Sequence, residues 1–143
     1  MRLRHRYLAL LPLVALAAAC GDDPLRAGVF RLDGTWVGRS FPYELSLSFE
    51  HDDENRVTGS GELRGLTVRT SNVFTDTIVS TRTDVSVEGK WDYPEYVLRL
   101  EGEGYQPVTM ETRQAQRDTM NATLRGSGFQ AVQIRLVRQT GSD

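Results

Sequence analysis

Few side chains in this sequence can do chemistry beyond hydrogen bonding, and they are scattered. The only thiol is Cys20, in LAAACGDD (16–23), and the histidines are His5 and His51. Nucleophilic catalysis of the Ser-His or Cys-His kind needs a histidine base. His5 lies in a basic leader, so His51, in the HDDEN stretch (51–55), is the one base left. No G-x-S-x-G elbow accompanies it. His51, Asp52 and Asp53 could share a metal, but their spacing fits no known metal loop, and HDDEN reads as a solvated hairpin turn. Glu101 and Glu103 alternate along a strand and read as a solvated face. No glycine loop opens a helix to cradle a phosphate. The residues therefore predict no catalytic group, no metal and no cofactor, and the chain is not read as an enzyme.

The lone thiol has a more specific setting. MRLRHR carries three arginines and no acid. Tyr7 to Ala19 is an apolar run of about 13 residues, shorter than the ~20 of a spanning helix. Ala17, Ala18 and Ala19 follow as small residues. Basic head, apolar middle and small-residue exit make a secretory signal peptide over residues 1–19. Ala17-Ala18-Ala19-Cys20 resembles the lipobox of bacterial lipoproteins, although that family prefers Leu at the first position and Leu16 stands one place earlier. The resemblance implies a diacylglyceryl thioether on Cys20, which becomes the mature N-terminus and holds the protein to a lipid bilayer. One acyl chain anchors only marginally, whereas two or three hold firmly. With Gly21 rather than an acid after the cysteine, the resemblance implies the bacterial cell envelope, at the outer membrane, on its periplasmic or surface face.

Removing residues 1–19 takes three arginines from 17 basic residues, leaving 14 against 19 acids, a net of −5. That balance argues against nucleic acid as a partner. No second cysteine remains, so no disulfide can form within the domain.

The elements that must position any site begin after a tether, residues 20–33, rich in Gly, Asp and Pro. From Gly34 the pattern is alternation. YELSLSFE (43–50) sets Tyr43, Leu45, Leu47 and Phe49 on one face. The same two-residue period marks 35–40, 56–65, 84–91, 96–103, 107–116, 119–128 and 130–139. Residues 66–83, rich in Thr and Ser, read as one or two edge-like strands around a turn at Ser71-Asn72. No ten-residue segment has helical periodicity. The expectation is an all-β domain over residues 34–139, with a short tail at 140–143. It is an antiparallel up-and-down β-barrel of about eight strands, with a β-sandwich as the alternative.

LDGTWVG (32–38) resembles the Gly-x-Trp opening of the calycin barrels, the lipocalins and avidin-like proteins. In that superfamily the Trp closes the barrel floor and an Arg of the last strand lies across it. The resemblance implies a Trp36–Arg138 pair, since Arg138 is in phase with Val132, Ile134 and Leu136. Tyr43, Trp91, Tyr93, Tyr96 and Tyr105 are the aromatic candidates for contact with a ligand or partner. Trp91 and Tyr96 are expected to pair across a turn, with Tyr93 at its tip.

Two functions remain open. One is a membrane-anchored, non-enzymatic binding lipoprotein holding a small apolar ligand in its lumen, where Gly59, Gly61, Gly89 and Ala122 leave room. The other is a protein-interaction or inhibitor module with a filled barrel, acting on an envelope protein through its loops. An eight-stranded barrel serves either. The volume of the lumen discriminates between them.

Overall fold

Alternating apolar residues select strands, because a strand turns successive side chains to opposite faces. The computed structural model describes residues 31–92 and 94–140, without the side chains of 113–115. It contains eight strands: β1 (Gly34–Ser40), β2 (Tyr43–His51), β3 (Arg56–Thr70), β4 (Thr75–Asp92), β5 (Glu95–Gly102), β6 (Val108–Ala115), β7 (Thr119–Gly126) and β8 (Phe129–Arg138). Each pairs antiparallel with the next, and β8 returns to β1, so the sheet is a closed up-and-down barrel. Two packed open sheets, the sandwich alternative, are excluded. No described residue is helical.

One end of the barrel, the floor, gathers Gly34, His51, Arg56, Asp92, Glu95 and Arg138. The other, the mouth, gathers Ser40, Tyr43, Gly65, Gly102, Val108 and Phe129. Trp36, Leu45, Leu47, Phe49, Leu98 and Met110 belong to one continuous buried cluster inside. Outward positions carry charge: Arg64 bridges Glu44 at 2.9 Å and also pairs with Glu62, and Arg99 bonds Glu101 at 2.5 Å. An apolar interior inside a charged wall is the reverse of a membrane-spanning barrel, whose outer band is apolar.

The inward glycines follow a rule that only the register reveals. Gly59 stands opposite Phe49, Gly61 opposite Leu47, Gly89 opposite Leu98 and Gly38 opposite both Leu45 and Leu136. Each gap is taken by the large side chain beside it. A Cβ on Gly61 would collide with the Ser46 carbonyl oxygen and come within 2.8 Å of Leu47 Cα. A Cβ on Gly89 would lie 2.7 Å from Leu98 Cδ2. Glycine opposite a bulky residue lets tightly curved strands close without empty space.

Residues 66–83 form no separate strands. They lengthen β3 and β4 beyond the mouth. β2 leaves β3 at Tyr43↔Gly65, and β5 meets β4 only at Val85↔Gly102. From Leu66 to Val79 the two strands pair only with each other, as Leu66↔Val79 through to Thr70↔Thr75. Ser80 is the extra residue of a bulge beside Gly65 and Leu66. The result is a two-stranded arm. Its tip is a turn in which Ser71 N–H donates to the Phe74 carbonyl at 2.8 Å and Phe74 N–H to Ser71 Oγ at 3.2 Å.

Candidate functional site

The floor is the most elaborately bonded part of the described chain. Trp36 begins in β1 facing inward and is fully buried. Its indole N–H donates to the Leu32 carbonyl at 2.8 Å. That bond draws residues 31–33 across the end of the barrel, and Leu32 is itself fully buried as a plug. Residue 34 must turn the strap into β1, and Gly34 does so with φ of 100°. The sequence reading placed residues 20–33 in the tether. The structure instead packs 31–33 against the barrel, because Leu32 has an apolar socket there.

Arg138 sits opposite Trp36 in the β1–β8 register, and its guanidinium carbon lies 4.7 Å from the ring centroid. It also donates to the Asp33 carbonyl at 2.5 Å and the Arg31 carbonyl at 2.7 Å. One side chain thus covers the indole and holds the strap. A cation over an indole contributes roughly 0.5–2 kcal/mol. Arg135, out of phase, is exposed.

His51 completes the clasp, and here the structure corrects the sequence reading. It is not in a solvated turn but is the last residue of β2, in phase with Phe49, and only 3% exposed. The Leu32 N–H donates to His51 Nδ1 at 3.2 Å. The His51 N–H donates to Asp33 Oδ1 at 2.8 Å, and the Arg31 guanidinium donates to the His51 carbonyl. An Nδ1 that accepts is unprotonated, so the neutral ring carries its proton on Nε2, which has no hydrogen-bond partner. Burial first, and then the nearby Arg31 cation, lower the His51 pKa. Burial would lift the Asp33 carboxyl, but the bonds from Arg31 and the His51 N–H outweigh it and hold Asp33 below its ordinary range. Tyr96 packs against His51 with ring centroids 5.6 Å apart. Burial first, and then Asp33, push its phenol up to about 12, against the opposing effect of Arg31.

The aromatic candidates do not form one surface. Trp91 and Tyr96 are register partners at the floor, with centroids 4.7 Å apart. Tyr43 lies at the mouth against Phe129 at 4.6 Å. Tyr105 follows β5 there and is 46% exposed. Tyr93 and Cys20 lie outside the described residues. Glu101 and Glu103 are exposed and face no shared site. Among the described residues no three His, Cys, Asp or Glu side chains gather as a metal site.

Between floor and mouth the buried side chains of the described residues form one packed cluster. A cavity at the mouth, lined by Leu45, Leu63, Val85, Leu100, Tyr105 and Phe129 among others, measures about 10 Å³. That is space for about one water. Drug-sized ligands occupy roughly 300–1,000 Å³. The chain matches no family model, no curated protein and no solved structure. The floor and the lumen therefore carry the functional argument by their own geometry.

Sequence reasoning missed the strap and the role of His51. The signal was present in β2: positions 43, 45, 47, 49 and 51 share one phase, so the inward face continues through His51.

Proposed function

We propose that this protein is an envelope lipoprotein held to a bilayer through acylated Cys20, and that it acts by binding another protein through its exposed loops. The lumenal-ligand reading is the weaker of the two. The observation that carries this choice is the filled lumen. A cavity of about 10 Å³ offers an apolar ligand neither volume nor surface to bury. The interior glycines leave no room, because their cross-strand neighbours cover them. Of the exposed large apolar residues, Phe41, Val73, Phe74 and Tyr105 lie at or beyond the mouth, whereas Val97 and Val137 lie singly on the outer wall. Exposed apolar groups of this kind mark contact surfaces. The Trp36–Arg138 geometry supports kinship with the calycin barrels, which include protein-binding members as well as carriers.

The reading is tested on the full chain extracted from membranes. Native mass spectrometry should show the polypeptide and its acyl groups with no further small molecule. Titration with an environment-sensitive naphthylamine dye should show no saturable binding. A photoreactive residue at Phe41 or Tyr105 should cross-link discrete envelope proteins, whereas one at outward Glu88 should not. A stoichiometric apolar molecule released only on unfolding would overturn the proposal in favour of a carrier.

A further inference from the structure

The strap at the floor is held by a different kind of bond from the barrel it covers. Among the described residues, no backbone-to-backbone hydrogen bond joins residues 31–33 to a strand. The bonds that hold it run through side chains. Leu32 N–H donates to the His51 ring, the Trp36 indole to the Leu32 carbonyl, the His51 N–H to the Asp33 carboxylate, and Arg138 to the Arg31 and Asp33 carbonyls. The ladders of β1 with β2 and β8 begin at Gly34 and Trp36 and leave the strap out. Residues 31–33 can therefore lift away with all eight strands still paired.

Of these bonds, the one to the His51 ring is the one a proton can break. Nδ1 accepts from the Leu32 amide at 3.2 Å, and the buried Nε2–H already lacks an acceptor. A second ring proton would meet the Leu32 N–H head-on and leave a buried cation with two unmet donors. Unmet buried donors and charges are costly, whereas water satisfies both nitrogens of a released ring. The groups around the ring do not reverse this. In the strap Arg31 opposes the added charge and Asp33 favours it, as does Asp52 beside it. Both carboxylates are already engaged, Asp33 by Arg31 and Asp52 by Arg56. On β5 the Tyr96 phenol, pushed up to about 12, stays neutral. On β3 the register partner is apolar Val57, and on β8 Arg138 is bonded to the strap carbonyls. Glu50, Lys90, Asp92 and Glu95 are out of phase with the inward residues of their strands. Asp33 and Asp52 are both held below their ordinary range, so between about pH 6.5 and 4 His51 is the group of this set that titrates.

We infer that the floor clasp is a proton-operated latch, in which protonation of His51 releases residues 31–33 while the barrel stays closed. On release Leu32 leaves its socket, and the Trp36 indole and the Arg138 guanidinium lose their acceptors in the strap. The chain ahead of β1 gains the length of three residues, about 10 Å of reach at full extension. The direction follows from proton counting. The clasped ring titrates below its ordinary value and the released ring at about 6.5, so the released state binds more protons and falling pH favours it. The latch goes beyond partner binding by the loops, and it holds whether or not Cys20 is acylated.

The test is hydrogen exchange read by NMR on the full chain, nitrogen-labelled and purified in detergent, with rates corrected for the intrinsic effect of pH. From pH 7.5 to 5 the protection of the Leu32 amide and the Trp36 indole N–H should fall at least about tenfold, while the ladder amides of Leu47 and Leu98 stay within a few-fold. The His51 ring nitrogens, followed in the same samples, should take up their proton over the same interval. His51→Asn keeps an acceptor for the Leu32 amide and does not titrate, so it should hold its protection to pH 5. Leu32→Ala weakens the plug but keeps the ring, and should move release to higher pH. Leu32 protection that outlasts protonation of the ring would overturn the inference, as would a ring still neutral at pH 5. So would an equal loss in the Asn variant, or a loss shared by the ladder amides, which is unfolding of the whole barrel. Should the Asn variant fail to hold the strap at pH 7.5, the coincidence of ring protonation and Leu32 exchange in the unaltered chain decides alone.

Discussion

His51 illustrates how one hydrogen bond fixes a protonation state. Its Nδ1 accepts from the Leu32 amide, and a proton added there would set two donors face to face in a buried socket. The folded chain therefore resists a proton that the unfolded chain takes at about pH 6.5. Between that value and the lower folded pKa the unfolded state binds more protons, so stability falls as pH falls. Above pH 6.5 the contribution of His51 is fully present. Asp33, held below its ordinary range, adds a second acid loss in a lower window, beneath about pH 3.9. Urea unfolding followed by tryptophan fluorescence should show the midpoint decline from pH 7.5 to 5. His51→Asn, which keeps an acceptor near the Nδ1 position and does not titrate, should flatten that decline while leaving the lower limb. An equal decline in the variant would remove His51 as its cause.

At the scale of the strand, the alternating apolar faces of β2, β5 and β8 were legible because one face packs and the other is wet. The arm was not legible as an extension. A two-stranded ribbon with water on both faces imposes no apolar period, and Thr fills it on propensity alone. The inward glycines were legible as inward but not in their effect. In a single strand a small residue reads as room. Only the register shows that Phe49, Leu47 and Leu98 fill it. The consequence is measurable. Gly61→Ala adds one methyl against the Ser46 carbonyl and Leu47, and overpacking of this kind costs typically about 1–3 kcal/mol. The denaturant midpoint should fall while the m-value stays constant. A substitution at an outward position of the same strand, Ser60→Ala, should change little.

For the whole molecule, the all-β class was legible from the count of strands and the absence of helical periodicity, but those features suit a sandwich as well, and only the β8–β1 pairing shows that the sheet closes. The clasp at the floor was not, because Leu32 is a lone apolar residue among Arg31, Asp33 and Gly34 and shows no pattern to read. The proposed anchor makes its own prediction, since the described barrel presents a charged wall and no lipid-facing band. Cys20→Ser should move the protein from the membrane fraction to the soluble fraction, with the barrel still folded by circular dichroism. Continued fractionation with membranes would remove the acyl anchor.

The strap at residues 31–33 has a mechanical consequence. Any tension travelling down the preceding chain enters the barrel at Arg31, where bonds to His51, Asp53 and Arg138 share it. Those side chains and the Leu32 plug must give way before force reaches a ladder of β1. The leash is therefore fastened to a lock on the underside of the cask and not to a stave, so a tug would strip the lock while the staves stay hooped.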